Sequence, residues 1–274
     1  MPLTSLAPVL QAADSADGYA VGLVCLGYEE AALYVALGAE LGVPIILQAG
    51  PGARRAIPIE IWGRIFSSLA EQSDYPVVAH LDHGTSEEEC RAALDAGFSS
   101  VMFDGSQLPF SENMERSFRV ANLAKRYHAS VEVEVGHVGY DGDPQGKMTD
   151  PEELARISGS IPDATIAISV GNIHLQTEAK AKIDWARVKA CREDVKSTFA
   201  MHGGSGVHHK DRLRLAQEFG VRKINIGTEL RQVAGAGMRN YFTDGAFDKL
   251  AALQASVDAM RPVAKKLLSD AWQV

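Results

Sequence analysis

The strongest restriction on the fold is an alternation repeated eight times: a short run rich in β-branched residues, then a longer stretch with helical spacing. The runs are YAVGLVCLG (19–27), VPIILQAG (43–50), YPVVAHLDHG (75–84), SSVMFDG (99–105), SVEVEVG (130–136), ATIAISVG (164–171), STFAMHGG (197–204) and VRKINIGT (221–228). Amphipathic segments such as SEEECRAALDAG (86–97) and SENMERSFRVANLAKRYH (111–128) lie between them. Ser86 and Glu89 have capping-box spacing, and Gly97 suits the helix end. Strands alternating with helices imply a parallel sheet, and eight units in 274 residues predict an α/β fold, the (β/α)8 TIM barrel. A doubly wound open sheet would usually have fewer strands and a Gly-rich first turn. No Gly-, Pro- or Ser-rich linker interrupts the chain. The expectation is a single domain over 1–274, with an N-terminal helix and a helical tail from about 229 to 271.

Composition narrows the setting. At 46% hydrophobic and 23% charged, the chain has ample apolar content for a core. A formal net charge of -8 argues against nucleic acid as the main partner. Cys25, Cys90 and Cys191 are odd in number, widely spaced and without a CxxC, which suits a reducing compartment. The first residues lack a basic start and apolar signal core, and no apolar run reaches membrane-spanning length. The expected location is the cytoplasm, with no membrane partner.

In a parallel barrel all strand C-termini share one face, and the unusual polar residues fall there. Asp82 and His83 follow strand three, Asp104 strand four, Glu132 and Glu134 lie on five, His174 follows six, His202 ends seven and Asn225 lies on eight. Zinc takes imidazole ligands, and a catalytic site keeps three protein ligands and an open position. His83, His174 and His202 fit that count, although a single strand-end histidine is more often structural. His80 lies inside its strand and reads as a packed or supporting group, while His137, His208 and His209 read as solvated. Strict alternation would send Asp82 and His83 to opposite faces, so both reach the mouth only if Gly84 lets the chain turn between them. A carboxylate at Asp82 then acts either as a general acid/base or as an orienting group, and spacing leaves both open. Asp104 and Glu134 are metal ligands, supporting groups or structural acids. HGGSG (202–206) and NIGTE (225–229) each end a strand before a helix, and glycine-rich turns after strands seven and eight form the recurrent phosphate site of this fold.

The blocks HLDHG, SVMFDGSQLPFSENM, VEVEVG, GNIH, HGGSG and KINIGTEL, in that order, resemble the class II zinc-dependent ketose-bisphosphate aldolases, from about Tyr19 to Phe242. The resemblance implies a zinc held by His83, His174 and His202, with Asp104 and Glu134 at an auxiliary metal position or supporting it. It leaves room for a second metal ion or a monovalent cation. It implies Asp82 as the acid/base at the hydroxyl of the bond being cut, and Gly203, Ser205, Asn225, Gly227 and Thr228 around a dihydroxyacetone phosphate half. The implied activity is reversible cleavage of a phosphorylated ketose by a homodimer or homotetramer.

Three departures stand out. VCLGY (24–28) replaces an Asn-rich end of strand one, Leu175 replaces the glycine after the strand-six histidine, and GYDGD (139–143) replaces a loop close to GGEED. The family's loop glutamate aligns with Gly142, leaving Asp143, or its neighbour Asp141, as the carboxylate that could move the donor's carbon-bound proton. A metal-dependent isomerase or epimerase, and a non-catalytic sugar-phosphate-binding descendant, are the competing readings.

Overall fold

A computed structural model describes residues 3–140 and 146–274. The elements run α1 (Leu6–Ser15), β1 (Ala20–Val24), α2 (Tyr28–Leu41), β2 (Ile45–Ala49), α3 (Pro51–Ala56), α4 (Ile59–Glu71), β3 (Val77–Gly84), α5 (Glu87–Asp95), β4 (Ser100–Phe103) and α6 (Phe110–Arg126). They continue with β5 (Ser130–Val135), α7 (Pro151–Ser160), β6 (Thr165–Ile168), α8 (Trp185–Glu193), β7 (Phe199–Met201), α9 (His209–Phe219), β8 (Val221–Ile226), α10 (Thr228–Tyr241) and α11 (Lys249–Trp272). The eight strands are parallel and close in sequence order, β8 pairing with β1. All eight expected strands form, each shorter than its apolar run because the polar residues at the ends belong to the loops. The helix expected near Val207 starts at His209, after a tight turn over Gly204–Gly206.

Local rules set these boundaries. Ser86 Oγ accepts from the Glu89 N–H at 3.1 Å, while the Glu89 carboxylate reaches back to the Thr85 N–H at 2.9 Å, one residue earlier than a standard capping box. Asp150 and Asp248 cap α7 and α11 in the same way. Helix α1 seals the N-terminal end: Leu6, Val9, Leu10 and Ala13 are buried, and the Thr4 N–H reaches the Val77 carbonyl.

Outside the strands, Trp62, Phe66, Leu37 and their neighbours fill the layer between sheet and helices. Inside the barrel the packing differs. Met102, Ala167 and Ala200 form a small apolar cluster, whereas Gln48, His80, Glu132 and Lys223 are wholly buried polar groups. The pairings Gln48↔His80, Met102↔Glu132 and Ala200↔Lys223 place these residues on the same inward face. Lys223 Nζ crosses from β8 to Glu132 Oε2 on β5 at 2.8 Å. Gly22 leaves the room that the Gln48 and Asn225 amides occupy, and a Cβ there would overlap both.

Candidate active site

The end of β3 shows how two consecutive residues reach one mouth. His83 itself takes the left-handed conformation, φ +53°, and the β3–β4 register shifts between Leu81 and Gly84. The turn is therefore at the histidine, one residue before the glycine that the sequence pointed to. A non-glycine residue there costs about 1 kcal/mol or more and needs outside support. Arg54 supplies it. Its Nη1 donates to the Ala49 and Asp82 carbonyls, both at 2.6 Å, and its Nη2 to the His83 carbonyl at 3.0 Å. Its Nε donates to Glu89 Oε1 at 2.8 Å, which balances the charge. Nothing in the sequence marked Arg54, because its work is done on backbone carbonyls of a distant strand.

The three histidines converge. A ring nitrogen of each of His83, His174 and His202 lies within 4.8 Å of the others. His83 Nδ1 meets Asp104 Oδ2 at 2.7 Å, and His202 Nε2 meets Glu132 Oε1 at 2.8 Å. Those carboxylates only accept, so each takes the N–H of its histidine and leaves the other ring nitrogen as a lone pair. The two remaining nitrogens, His83 Nε2 and His202 Nδ1, face each other at 2.9 Å. Two lone pairs at that separation require a positive species between them, a proton or a metal ion. Nitrogens sharing one tetrahedral zinc lie about 3.3 Å apart, given Zn–N bonds of about 2.0–2.1 Å. The donor set therefore fits a zinc ion.

The electrostatics agree. Burial alone would lower the His83 imidazole, but Asp82, Asp104 and Glu134 outweigh it and raise it to about 10. Burial and the neighbouring His83 push both His174 and His202 well below the ordinary value. His174 comes from the loop after β6, anchored through its N–H to the Gly139 carbonyl at 2.8 Å and stacked on Tyr140 at 5.0 Å between ring centres. Asn172 ties that loop to β7 by donating to the His202 carbonyl at 2.9 Å.

Asp82, Asp104 and Glu134 divide by environment. Burial would raise Asp82, but His83, His202 and Lys223 hold it below the usual carboxylate range, and Asn225 Nδ2 donates to its Oδ1 at 3.1 Å. Burial likewise opposes, and hydrogen bonds from His83 and Ser106 override, at Asp104, which is held far down. Burial and the nearby Asp104 push Glu134 up to about 8, and its Oε2 lies 3.8 Å from His83 Nδ1. His83, Asp104 and Glu134 form a second group with metal-ligand spacing.

Asp82, His83, His174 and His202 line a cavity of about 270 Å³ at the strand C-termini, together with Gly203, Ser205, Asn225, Gly227, Thr228, Arg55, Tyr140 and Arg231. Gly203 has φ +64°, and a Cβ there would collide with the Ile173 carbonyl. The N-cap of α10, Gly227, has no side chain to cap with, and the Ser205 hydroxyl accepts only long bonds, at 3.4 Å, from the Gly227 and Glu229 N–H groups. This helix start is open to an anion.

Other expectations need adjusting. His137 is not simply solvated: its Nδ1 pairs with Ser106 Oγ at 3.0 Å and its backbone bridges Lys147. His80 is a packed group, held by Ser100 Oγ at 2.9 Å with Glu132 3.7 Å away. Asp141 and Asp143 lie outside the described residues. Lys223 was missed, although it lies two residues before Asn225 and so shares its inward face.

A closed parallel barrel with imidazoles, carboxylates and an anion-ready helix start at its C-terminal mouth defines a (β/α)8 barrel enzyme. The family described as fructose-bisphosphate aldolase class-II matches residues 4–272, and the chain belongs to that family: it is an aldolase, a lyase that cleaves a carbon–carbon bond. It is 37% identical over 221 residues to the fructose-bisphosphate aldolase of Mycoplasma pneumoniae, covering 78% of this chain and 76% of that one. Its fold resembles the YdjI aldolase from Escherichia coli K12, with a TM-score of 0.87 at 24% identity over 98% of this chain and 97% of the other. It also resembles fructose-bisphosphate aldolase from Campylobacter jejuni, with a TM-score of 0.84 at 19% identity over 98% and 95% of the two chains. Among the described residues no helix is long and apolar enough to cross a membrane.

Proposed function

We propose that this chain is a zinc-dependent aldolase that reversibly cleaves a phosphorylated ketose into dihydroxyacetone phosphate and an aldehyde. The carrying observation is the facing pair His83 Nε2 and His202 Nδ1, 2.9 Å apart, in one cavity with Asp82 and the loops after β7 and β8. His83, His174 and His202 would hold the zinc, with Asp104 and Glu134 fixing His83 or offering an auxiliary position. Bound zinc would supply Lewis-acid polarisation of the donor ketone.

The protein's own groups do the rest. Asp82, whose carboxyl His83, His202 and Lys223 hold below the usual range against burial, accepts the hydroxyl proton at the carbon–carbon bond being broken. Asn225 holds one oxygen of that carboxylate, which leaves the other free to work. Gly203, Ser205, Gly227 and Thr228 cradle the donor phosphate against the start of α10, fixing the donor half in place. Three free, buried cysteines suit a cytoplasmic setting.

The test is a panel of ketose phosphates assayed with zinc-loaded and chelated protein for release of dihydroxyacetone phosphate. Zinc-dependent release from at least one member supports the reading. Turnover without aldehyde release, or equal rates with unphosphorylated ketoses, rejects it.

A further inference from the structure

Arg212, in the first turn of α9, is a buried guanidinium. It lines a second cavity of about 510 Å³, as does Glu229, while Ser205 lines both this cavity and the one at the barrel mouth. The loop after β7 is therefore the wall between the two, and Arg212 supports it from behind. A buried cation is costly unless its N–H groups are taken up.

The partners of Arg212 are specific. Its Nε is shared between the Gly204 carbonyl at 3.0 Å and the Val207 carbonyl at 2.9 Å. The Gly204 carbonyl also accepts the Val207 N–H at 2.9 Å, so the arginine grips the tight turn where it closes. Its Nη2 donates to Glu229 Oε1 at 2.8 Å, in the first turn of α10. One side chain thus spans the loop after β7 and the helix after β8, beyond the last ladder pair of those strands, Met201↔Ile224. The Ser205 hydroxyl crosses the same gap only by the two 3.4 Å bonds from Gly227 and Glu229. A charge-assisted bond from a guanidinium is the stronger tie. It also holds the Glu229 carboxylate, the acidic group of the first turn of α10, at the second cavity and off the phosphate cradle.

We propose that Arg212 is a positioning residue for the donor half. Without touching the ligand, it fixes the loop after β7 against the start of α10, so that the N–H groups of both converge on one phosphate. This rests on the phosphate reading of the same site.

The experiment titrates inorganic phosphate calorimetrically into the zinc-loaded chain, parent and variants, with zinc content and melting temperature recorded for each. Arg212→Met should weaken phosphate roughly tenfold and raise KM for the ketose phosphate in step, while kcat stays within about threefold, because the lost binding is common to ground and transition states. Arg212→Lys keeps the charge but lacks the fork, and should fall between. An arginine that served stability alone would lower the melting temperature and leave phosphate affinity and KM of the folded, zinc-loaded protein unchanged. Glu229→Ala and Glu229→Gln decide the matter if Arg212→Met does not fold. Both remove the carboxylate charge, but only the amide keeps an acceptor for Arg212, so the alanine variant should bind phosphate several-fold more weakly than the glutamine variant. Unchanged phosphate affinity in Arg212→Met, or equal affinities in the two Glu229 variants, overturns the positioning role and leaves the phosphate site standing. A parent protein that takes up no phosphate removes both.

Discussion

The Lys223–Glu132 pair gives the sharpest test of how the barrel interior is held. Lys223 and Glu132 are wholly buried and 2.8 Å apart, and the other Glu132 oxygen takes the His202 N–H at 2.8 Å. His80, 3.7 Å away, is held neutral first by burial and then by Lys223, so in the parent Lys223 is the cation that faces Glu132. Lys223→Met keeps most of the side-chain volume and removes only the cation, leaving a buried carboxylate with one hydrogen bond. Removing one partner of a buried pair costs about 3–5 kcal/mol. At roughly 2–4 °C per kcal/mol for a domain of this size, the melting temperature should fall by roughly 6–20 °C. The assay is urea and thermal unfolding followed by circular dichroism, with chelator present throughout so that metal binding does not contribute. Lys223→Met/Glu132→Gln should recover at least half of the loss, since the amide keeps a hydrogen-bond acceptor for His202 and removes the unpaired charge. A loss below about 1 kcal/mol in the single variant, or a double variant no more stable than the single, would refute the claim that this pair holds the interior together.

Further outcomes concern the mouth. His202→Ala should leave less than roughly a tenth of the parent's zinc by elemental analysis after dialysis, with activity lost in parallel; full zinc retention would remove His202 from the ligand set. Asp82→Asn should keep fold and zinc yet slow cleavage about a hundredfold or more; near-normal turnover would reduce Asp82 to an orienting group. Ser205→Ala should weaken competition by inorganic phosphate against substrate several-fold, read as a raised inhibition constant at unchanged zinc content. On sequence grounds, Asp143→Ala should block hydrogen–deuterium exchange into the donor ketone while donor binding persists; a block seen only in Asp141→Ala would transfer the role.

The barrel was legible because its signal is repeated eight times and each repeat tests the others. The histidine set was legible for a related reason: His83, His174 and His202 each sit where a strand run stops. What the sequence hid has physical causes. Lys223 reads as an ordinary charged residue until strand alternation is applied backwards from Asn225. Arg54 leaves no trace because, Glu89 apart, its partners are backbone carbonyls, which every sequence has. The left-handed His83 could not be read off either, since Gly84 beside it is the usual carrier of such a turn. Tyr140 was visible only as a replacement in an altered loop, and its stacking on His174 depends on the separate loop after β6 meeting it, where the His174 N–H reaches the Gly139 carbonyl.

The split between Arg54 and Arg55 bears on how such a barrel can change under selection. Arg54 is tied to the β3 carbonyls that aim two mouth residues, so the placement of Asp82 and His83 depends on it whatever the substrate. Among the described residues Arg55 has no hydrogen-bond or ion-pair partner, so its position is under no such constraint. If both codons were randomised together and variants selected on aldehydes of different charge, position 54 should return arginine in every selection. Position 55, exposed at the cavity rim, should return several residue types. Neighbouring codons would then evolve at different rates, one constrained by the strand it clamps and the other not.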